Sequence, residues 1–387
     1  MYILSNKFIL FFLAFFCSID RLLMTEGLVK TIYVIAIISI ILLMKTIVHK
    51  SINGKVNLIL AYIILMVWTL TSNVWAKSVS ADSTVVMIFV LFMALILVCK
   101  GLDEDELHFI SIGFLLGGLI VCINLLTSNQ YLNDVDGRLV LDGISDGGAN
   151  DPNWLSWLLL PSLFAAIKFT NSSALLCKFF SSFCIMLIVY CIFLSGSRGA
   201  IMAIIVSFLC KWIYEKKYFY VFLSSTILII CSVFFIEYVI DLLGYRFDIS
   251  FMIETGGAGR VDIWKVALEM IKDNFFCGVG IGNFSNNYQL YADEIGIGLS
   301  RGTERAVHNF VLQGFSELGF IGMVICFCVV YFSCKKNLSA LLMTHEDFVW
   351  GGLALLLSAM FLTAFNEKML WLFIGIVGSV RIGKDDS

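Results

Sequence analysis

Three short motifs hold the residues of this sequence that are best suited to chemistry. Arg198 lies in SGSRGA, Arg260 begins RVDIW after a glycine, and His308 stands at the start of an apolar run. A guanidinium forms paired hydrogen bonds with phosphate oxygens, and histidine titrates near neutral pH. The motifs therefore favour an anion site beside a proton acceptor. The structural alternatives are a membrane anchor at Arg198, a solvated charge at Arg260 and an interfacial polar residue at His308.

A polar stripe follows His308 along the apolar run. Asn309, Gln313 and Glu317 recur every four residues, which places them on one face of a helix. Asn309 is a good N-cap for that helix, whose N-terminus attracts anions. Glu317 lies about two turns into the helix, and a carboxylate is costly at that depth. We therefore expect Glu317 to face a cavity or a cationic partner.

The stretch from Gly259 to Asp273 has a helical period and is predicted to be an amphipathic helix. Its apolar face is predicted to consist of Val261, Trp264, Leu268 and Ile271. A glycine-rich run, GVGIGN at 278–283, follows the helix. No strand precedes it, and Asn283 stands where a dinucleotide-binding motif has its third glycine. The run is therefore predicted to be a tight turn, although such a turn would let the backbone approach a ligand closely.

The composition is that of a membrane protein. Of 387 residues, 60% are hydrophobic and 14% are charged, whereas soluble domains average about half and about a quarter. The net charge of -3 excludes a strongly basic nucleic-acid-binding protein. The 12 cysteines form no CxxC pair. Asp134 and Asp136 lie in a polar loop, where two nearby carboxylates are common, so no metal site is expected.

Apolar runs long enough to cross a bilayer predict about twelve transmembrane helices. The predicted fold class is therefore an all-α polytopic membrane protein, with residues 1–387 forming one membrane domain. The predicted spans are Ile3–Ile19, Leu28–Met44, Val56–Trp75, Thr84–Cys99, Phe109–Leu126, Trp154–Phe169, Leu175–Leu194, Ala200–Tyr214, Tyr218–Ile240, Asn309–Ser333, Phe348–Ala364 and Met369–Val380.

The distribution of Lys and Arg predicts the orientation, because cytoplasmic loops are enriched in both. One set of loops holds Lys45, Lys50, Lys55, Lys100, Lys168, Lys178, Lys211, Lys216, Lys217, Lys335, Lys336, Arg381 and Lys384. With this set inside and an even number of spans, both termini are cytoplasmic. The large loop Asp241–Val307, between the ninth and tenth spans, is then periplasmic. Thr127–Asn153 and Ser195–Arg198 lie on the same outer face.

Several of these motifs resemble those of the O-antigen polymerase and O-antigen ligase superfamily. The resemblance rests on SGSRGA at 195–200, on GRVDIW and GVGIGNF within 259–284, and on HNFVLQGFSELGFIG at 308–322. DPNWL at 151–155 is also similar. Each motif is short, but their order and the long outer loop match the pattern of the superfamily.

The resemblance implies a glycosyltransferase of the bacterial inner membrane that acts at the periplasmic face without a metal or another cofactor. It implies that Arg198 and Arg260 bind the diphosphate of a lipid-linked glycan, and that His308 lies at the reacting sugar. These three are the expected catalytic residues. Further candidates for binding diphosphate or sugar are Asn309, Glu317, Arg246, Arg301, Arg305 and Asn153.

The function predicted on this basis is O-antigen polymerisation. The growing glycan would move from undecaprenyl diphosphate to the non-reducing end of the next lipid-linked repeat unit. Expected partners are the lipid-linked oligosaccharide, membrane lipids and a chain-length regulator protein, and no nucleic acid. The alternatives are an O-antigen ligase with lipid A–core as acceptor, a transporter of the lipid-linked oligosaccharide, and a non-catalytic scaffold. A transporter predicts internal repeats, and the sequence shows none.

Overall fold

The computed structural model describes residues 5–23, 31–48, 55–127, 152–234, 256–297, 305–335 and 337–381. These residues form fifteen α-helices, and their only β-structure is an isolated bridge between Leu102 and Val380. The helices are α1 (Asn6–Leu23), α2 (Thr31–Val48), α3 (Val56–Thr71), α4 (Ala81–Lys100), α5 (Glu104–Thr127), α6 (Pro152–Phe169), α7 (Leu175–Leu194), α8 (Arg198–Tyr214), α9 (Tyr218–Phe234), α10 (Gly256–Asp273), α11 (Phe284–Glu294), α12 (Phe310–Cys334), α13 (Asn337–Thr344), α14 (Glu346–Ala359) and α15 (Lys368–Ser379).

The all-α class is confirmed for the described residues, but the count of twelve spans is not. Among the described residues, five helices are long and apolar enough to cross a membrane, namely α3 with the 3-10 turn that follows it, α4, α5, α7 and α12. A sixth candidate is the pair α13 and α14, which is bent by 115°. Shorter apolar helices lie within α2, α9 and α15. Each of the twelve predicted spans overlaps a described helix, and several of these helices are too short to span by themselves.

Close helix packing forms the main bundle, in which α1 lies against α5, α14 against α6 and α8, α15 against α4, and α3 against α12. Glycine allows the closest of these approaches. A Cβ added at Gly113 of α5 would lie 2.5 Å from the carbonyl oxygen of Phe11, and one at Gly117 would lie 2.5 Å from the Cβ of Ser18. Small residues at such contacts let two helices gain van der Waals energy, which is the main attraction between helices in lipid.

Several of the basic residues that the sequence analysis assigned to one side of the membrane lie at one end of the bundle. The Nζ of Lys55 donates to the carbonyl oxygens of Gly378 and Val380, at 2.9 and 2.7 Å. The Nη2 of Arg381 donates to the carbonyl oxygen of Lys100 at 2.6 Å. Lys55, Lys100 and Arg381 therefore lie at the same end, as the charge distribution predicts.

The amphipathic helix is confirmed as α10, but the face predicted to be apolar is wrong. Val261 and Leu268 are 43% and 51% exposed. The buried side chains of the helix are instead Ile263, Val266, Ala267 and Met270, and they form a separate core with α11 and Val307. Both faces carry apolar residues, so tertiary packing rather than composition decides which face is buried.

The glycine-rich run is a turn, as predicted, and it docks against a break in α12. At Gly319 the backbone leaves the helical region, with φ 68° and ψ -174°. In an unbroken helix, Phe320 N would donate a hydrogen bond to Ser316 O, and Ile321 N would donate one to Glu317 O. Here all four of these backbone groups form hydrogen bonds with residues 275–280 instead.

The replacement bonds are of ordinary length. Phe320 N donates to Phe275 O at 2.7 Å, and Ile321 N donates to Phe276 O at 3.2 Å. In return, Ser316 O and Glu317 O accept from Val279 N and Gly280 N, both at 2.8 Å. We call this contact between residues 275–282 and 316–321 the glycine joint. It replaces both of these helical bonds, and buried backbone in a membrane protein needs such replacement.

The joint predicts a specific sensitivity at Gly278. A Cβ added there would lie 2.5 Å from the backbone carbonyl of Glu317, and Gly278 also has a φ of +69°. Gly278→Ala should therefore lower the melting temperature and the yield of detergent-solubilised protein, measured by fluorescence-detected size-exclusion chromatography after heating.

Gly296→Ala is the matched control. Gly296 has a φ of +71°, but no atom of the residues that the structure describes lies within 4 Å of an added Cβ. This variant should show only the backbone strain of the left-handed conformation, about 1–2 kcal/mol. Equal losses for the two variants would mean that the close approach in the joint contributes nothing.

Candidate active site

A short connection between α14 and α15 is the point where the three sequence motifs meet. The eleventh predicted span, Phe348–Ala364, was expected to remain helical throughout, and this is wrong. The helix α14 ends at Ala359, and residues 360–367 form a link to α15. Within the link, Leu362 and Ala364 are fully buried. Its first turns are held by Phe361 N and Leu362 N, which donate to Ser358 O and Ala359 O at 3.0 and 3.1 Å.

Arg198 opens α8 immediately after a tight turn. The turn uses Gly196 at a φ of +60°, and the hydroxyl of Ser197 caps the helix by accepting from Ala200 N. The next residue, Gly199, packs against the link. A Cβ added at Gly199 would lie 3.1 Å from Cδ2 of Phe361. The SGSRGA motif therefore places Arg198 directly beside the link.

Asn153 is positioned by the same turn. Its Oδ1 accepts a hydrogen bond from the Ser197 hydroxyl at 2.8 Å. The hydroxyls of Ser156 and Ser195 also contact each other, and both residues are fully buried. Asn153 thus supports the turn from the start of α6, which makes its role structural in this geometry and leaves a direct role in sugar binding as a prediction.

Arg260 reaches the link from the other side. Its Cζ lies 5.8 Å from the centre of the Phe361 ring, within the range of a cation–π contact. One turn along α10, the Nε1 of Trp264 donates to Val307 O at 3.1 Å. This bond ties the arginine-bearing end of α10 to the segment that carries His308.

His308 has a left-handed backbone, with φ 50°. Its backbone N–H donates to the Thr363 hydroxyl of the link at 3.0 Å. Asn309 follows as the predicted N-cap of α12, and its Oδ1 accepts from Val311 N and Leu312 N, each at 3.0 Å. A left-handed conformation is uncommon for a residue other than glycine, so the cap and the link hold His308 in a specific orientation.

The structure therefore brings Arg198, Arg260 and His308 around one short segment, Phe361–Thr363. The three residues come from widely separated parts of the sequence. Arg260 contacts the segment through its side chain, His308 through its backbone N–H, and Arg198 through the adjacent Gly199. Sequence reasoning ended the eleventh span at Ala364 and so placed the first part of the link inside a helix, because its apolar residues extend a hydrophobic run. The polar residues Asn366 and Glu367, which lie between the eleventh and twelfth predicted spans, mark the end of the link.

Gln313 and Glu317 lie deeper along α12 and are both buried. Gln313 accepts from Phe365 N through Oε1, at 3.2 Å, and so secures the end of the link. Gln313 is therefore the member of the polar stripe that bonds to the link.

Glu317 has no cationic partner among the described residues, contrary to one of the two expectations for it. Its polar neighbours are the backbone N–H groups of Gly282 and Phe284 and the side chain of Gln313. The first two groups belong to the end of the glycine joint and the N-terminus of α11, where a helix favours negative charge. The Oε2 of Glu317 makes no hydrogen bond within the described residues. Glu317 therefore lies beside the N-terminus of α11 without a hydrogen bond to satisfy that oxygen.

The remaining candidates divide between described and undescribed parts of the chain. Arg305 is described, and its buried Nε has no hydrogen-bond partner within the described ranges. Arg246 and Arg301 lie outside the described residues, as do Asp134 and Asp136. The residues that the structure describes contain no group of three or more His, Cys, Asp or Glu side chains that could hold a metal ion.

The position of Glu317 predicts a loss of folded protein when its carboxylate is removed. Glu317→Ala takes away the acceptor oxygens that lie beside the N–H groups of Gly282 and Phe284, and a buried group left without an acceptor costs about 1–3 kcal/mol. The yield of monodisperse protein in detergent should fall. Glu317→Gln keeps an acceptor oxygen and should fall less, and Glu294→Ala, on an exposed residue, should match the parent chain. Equal yields for Glu317→Ala and Glu294→Ala would contradict this role of the carboxylate.

Comparison with known proteins gives one family match. The family model described as O-antigen ligase matches residues 183–327, a range that contains Arg198, Arg260, His308 and Glu317. No curated protein matches the chain. The matched range runs from α7 to α12 and includes the whole glycine joint, but it excludes the link. Over residues 183–327, the comparison confirms the resemblance of this membrane protein to the O-antigen polymerase and ligase superfamily, whose members are glycosyltransferase-type enzymes.

Proposed function

We propose that this chain is an O-antigen polymerase, a glycosyltransferase that extends a surface polysaccharide on a lipid carrier. The observation that carries the proposal is the meeting of Arg198, Arg260 and His308 at Phe361–Thr363. Helix packing alone does not require two arginines and a histidine from separate parts of the chain to meet at one short segment. A diphosphate leaving group beside a sugar hydroxyl requires both kinds of residue.

The two arginines would bind the diphosphate of the donor. Their planar forks match phosphate oxygens, and a partly buried site strengthens each charge-assisted hydrogen bond. Negative charge grows on the diphosphate as its bond to the sugar breaks, so fixed cations stabilise the transition state more than the ground state. Arg305, three residues before His308, adds a third guanidinium whose buried Nε makes no hydrogen bond in the described part of the chain.

His308 would accept the proton of the attacking hydroxyl. In the proposed step, the acceptor oxygen forms a bond to the anomeric carbon of the donor sugar. The bond from that carbon to the diphosphate breaks, and the diphosphate leaves with the electron pair and remains on its lipid. The hydroxyl proton moves to His308, because an imidazole side chain can exchange protons near neutral pH.

The site is proposed to face the periplasm. Arg198 begins α8, and Lys211 lies near the other end of the same helix. If the lysine-rich end is cytoplasmic, the link and its arginines lie at the outer face of the inner membrane, and both termini are inside. A lipid-linked glycan would be available there, together with the proposed chain-length regulator.

Ligase activity is the second candidate, and the description of the matched family favours it. Polymerase and ligase share a donor and differ in the acceptor, so the donor site alone does not separate them. The lipopolysaccharide of a deletion strain separates the two activities. Loss of a polymerase leaves single repeat units on the lipid A–core, whereas loss of a ligase leaves long chains on the lipid carrier.

A pure transporter would fail to extend chains when reconstituted alone with lipid-linked repeat units.

The diphosphate role predicts that lysine cannot replace either arginine. Arg198→Lys and Arg260→Lys keep the charge but lose the paired hydrogen bonds. Each loss should cost about 2–4 kcal/mol of transition-state stabilisation, or roughly 30- to 1,000-fold in rate. The measurement is the rate of polymer formation by purified chain with lipid-linked repeat units.

Arg381→Lys is the matched control, because Arg381 bonds to Lys100 O at the opposite end of the bundle. It should polymerise at the parental rate. Arg198→Lys and Arg260→Lys could instead both polymerise at normal rates, with normal amounts of protein in the membrane. That result would mean that the two arginines act as membrane anchors and do not bind the diphosphate.

The proposed orientation predicts which positions are accessible from outside the cell. In a cysteine-free background, a cysteine at Ser285 of α11 should react with a membrane-impermeant maleimide in whole cells with a permeable outer membrane. A cysteine at Glu215, beside Lys216 and Lys217, should react only after lysis. Labelling of Glu215→Cys but not of Ser285→Cys in whole cells would reverse the orientation.

A further inference from the structure

A cleft lies at the far end of α10 from Arg260, between the glycine joint, α11 and the loop after α3. Its volume is about 440 Å³, within the usual range for small-molecule sites of about 300–1,000 Å³. We propose that this cleft is a distal saccharide subsite, which holds the glycan at sugars remote from the bond that is made. The inference rests on the proposed function and adds a second contact with the same substrate.

Aromatic side chains form the walls of the cleft, among them Trp75, Phe275 and Tyr291. Trp75 is 36% exposed, and its Nε1 donates to Cys277 O at 3.2 Å. This bond fixes the indole against the glycine joint, so the ring does not have to become ordered when a ligand binds. Flat faces of aromatic rings give sugar C–H groups a rigid apolar surface at a low entropy cost.

The polar side chains of the cleft provide both donors and acceptors, as a sugar ring requires. Asn274 uses its two N–H bonds on Met270 O, at 3.0 Å, and on the Tyr291 hydroxyl oxygen, at 2.8 Å. Its carbonyl oxygen is therefore the group that remains for an acceptor role. Burial raises the pKa of Tyr291, so the hydroxyl stays protonated and can donate. Asn287 also lines the cleft and uses one N–H on Asn283 O at 2.8 Å.

The charge of the cleft favours a neutral polyhydroxyl ligand over a phosphate. Lys77 and Asp273 both line it, and their charges are opposite. The arginines that suit a diphosphate lie elsewhere. From Arg260 to Asp273, α10 rises by about 20 Å at about 1.5 Å per residue. A ligand that reaches from the link to the cleft must be extended, which a lipid-linked oligosaccharide is.

Protection of Cys277 from alkylation tests the subsite without measuring activity. Cys277 lines the cleft and is partly exposed, and the exposed Cys177 on α7 serves as an internal control. The full chain in lipid nanodiscs is treated with a maleimide, with and without oligosaccharide released by mild acid from the surface polysaccharide of the strain that carries the gene. At about ten times its Kd, the oligosaccharide should slow labelling of Cys277 about tenfold and leave Cys177 unchanged.

Two variants make the test specific to the cleft. Trp75→Ala should abolish the protection, and Asn286→Ala should retain it, because Asn286 is exposed on α11 next to the cleft residue Asn287. Three results would overturn the subsite. They are no protection of Cys277 in the parent chain, equal protection in Trp75→Ala, and protection only by added phosphatidylethanolamine. If Arg198→Lys abolishes polymerisation while the parent shows no protection, this inference fails and the proposed function stands. If the oligosaccharide protects Cys277 while Arg198→Lys and Arg260→Lys both polymerise normally, the cleft binds saccharide and the proposed function fails.

Discussion

A helix in a membrane can be interrupted only where other groups satisfy the backbone it exposes, and the glycine joint meets this constraint. The break at Gly319 releases two donors and two acceptors of α12, and residues 275–280 bond to all four. The Trp68 indole adds a bond to Leu318 O at 3.0 Å. Because the exchange is between backbones, it depends on glycine at the points of closest approach rather than on any functional side chain.

The joint determines where α10 and α11 lie. It fixes the segment between α10 and α11 against α12, and it places the N-terminus of α11 beside Glu317. With its C-terminal end held there, α10 places Arg260 against Phe361 at the other end. The link, in turn, is held by His308 and Gln313 from α12 and its cap. The candidate active site and the proposed saccharide cleft are thus the two ends of one rigid element.

The sequence predicted local structure well and tertiary partners poorly. The end of α10 at Asp273, the turn at 278–283 and the cap at Asn309 follow from periodicity, glycine and capping chemistry, which are local properties, although α10 begins three residues before the predicted Gly259. The buried face of α10 was predicted wrongly, because apolar residues surround the helix and packing selects among them. Glu317 was recognised as a buried charge, but its neighbours include backbone N–H groups, which leave no trace in residue types. The first part of the link was assigned to the eleventh span, because hydropathy over a window does not detect a helix that ends early.

The central claim is that Arg198 and Arg260 bind one diphosphate, and a double-mutant cycle tests it most directly. The measurement is equilibrium binding of undecaprenyl diphosphate to the purified parent chain, Arg198→Lys, Arg260→Lys and the double variant. Residues that hold the same ligand should be coupled, so the loss in the double variant should fall short of the sum of the single losses by about 0.5–3 kcal/mol. Strictly additive losses, or no loss in either single variant, would contradict a shared site.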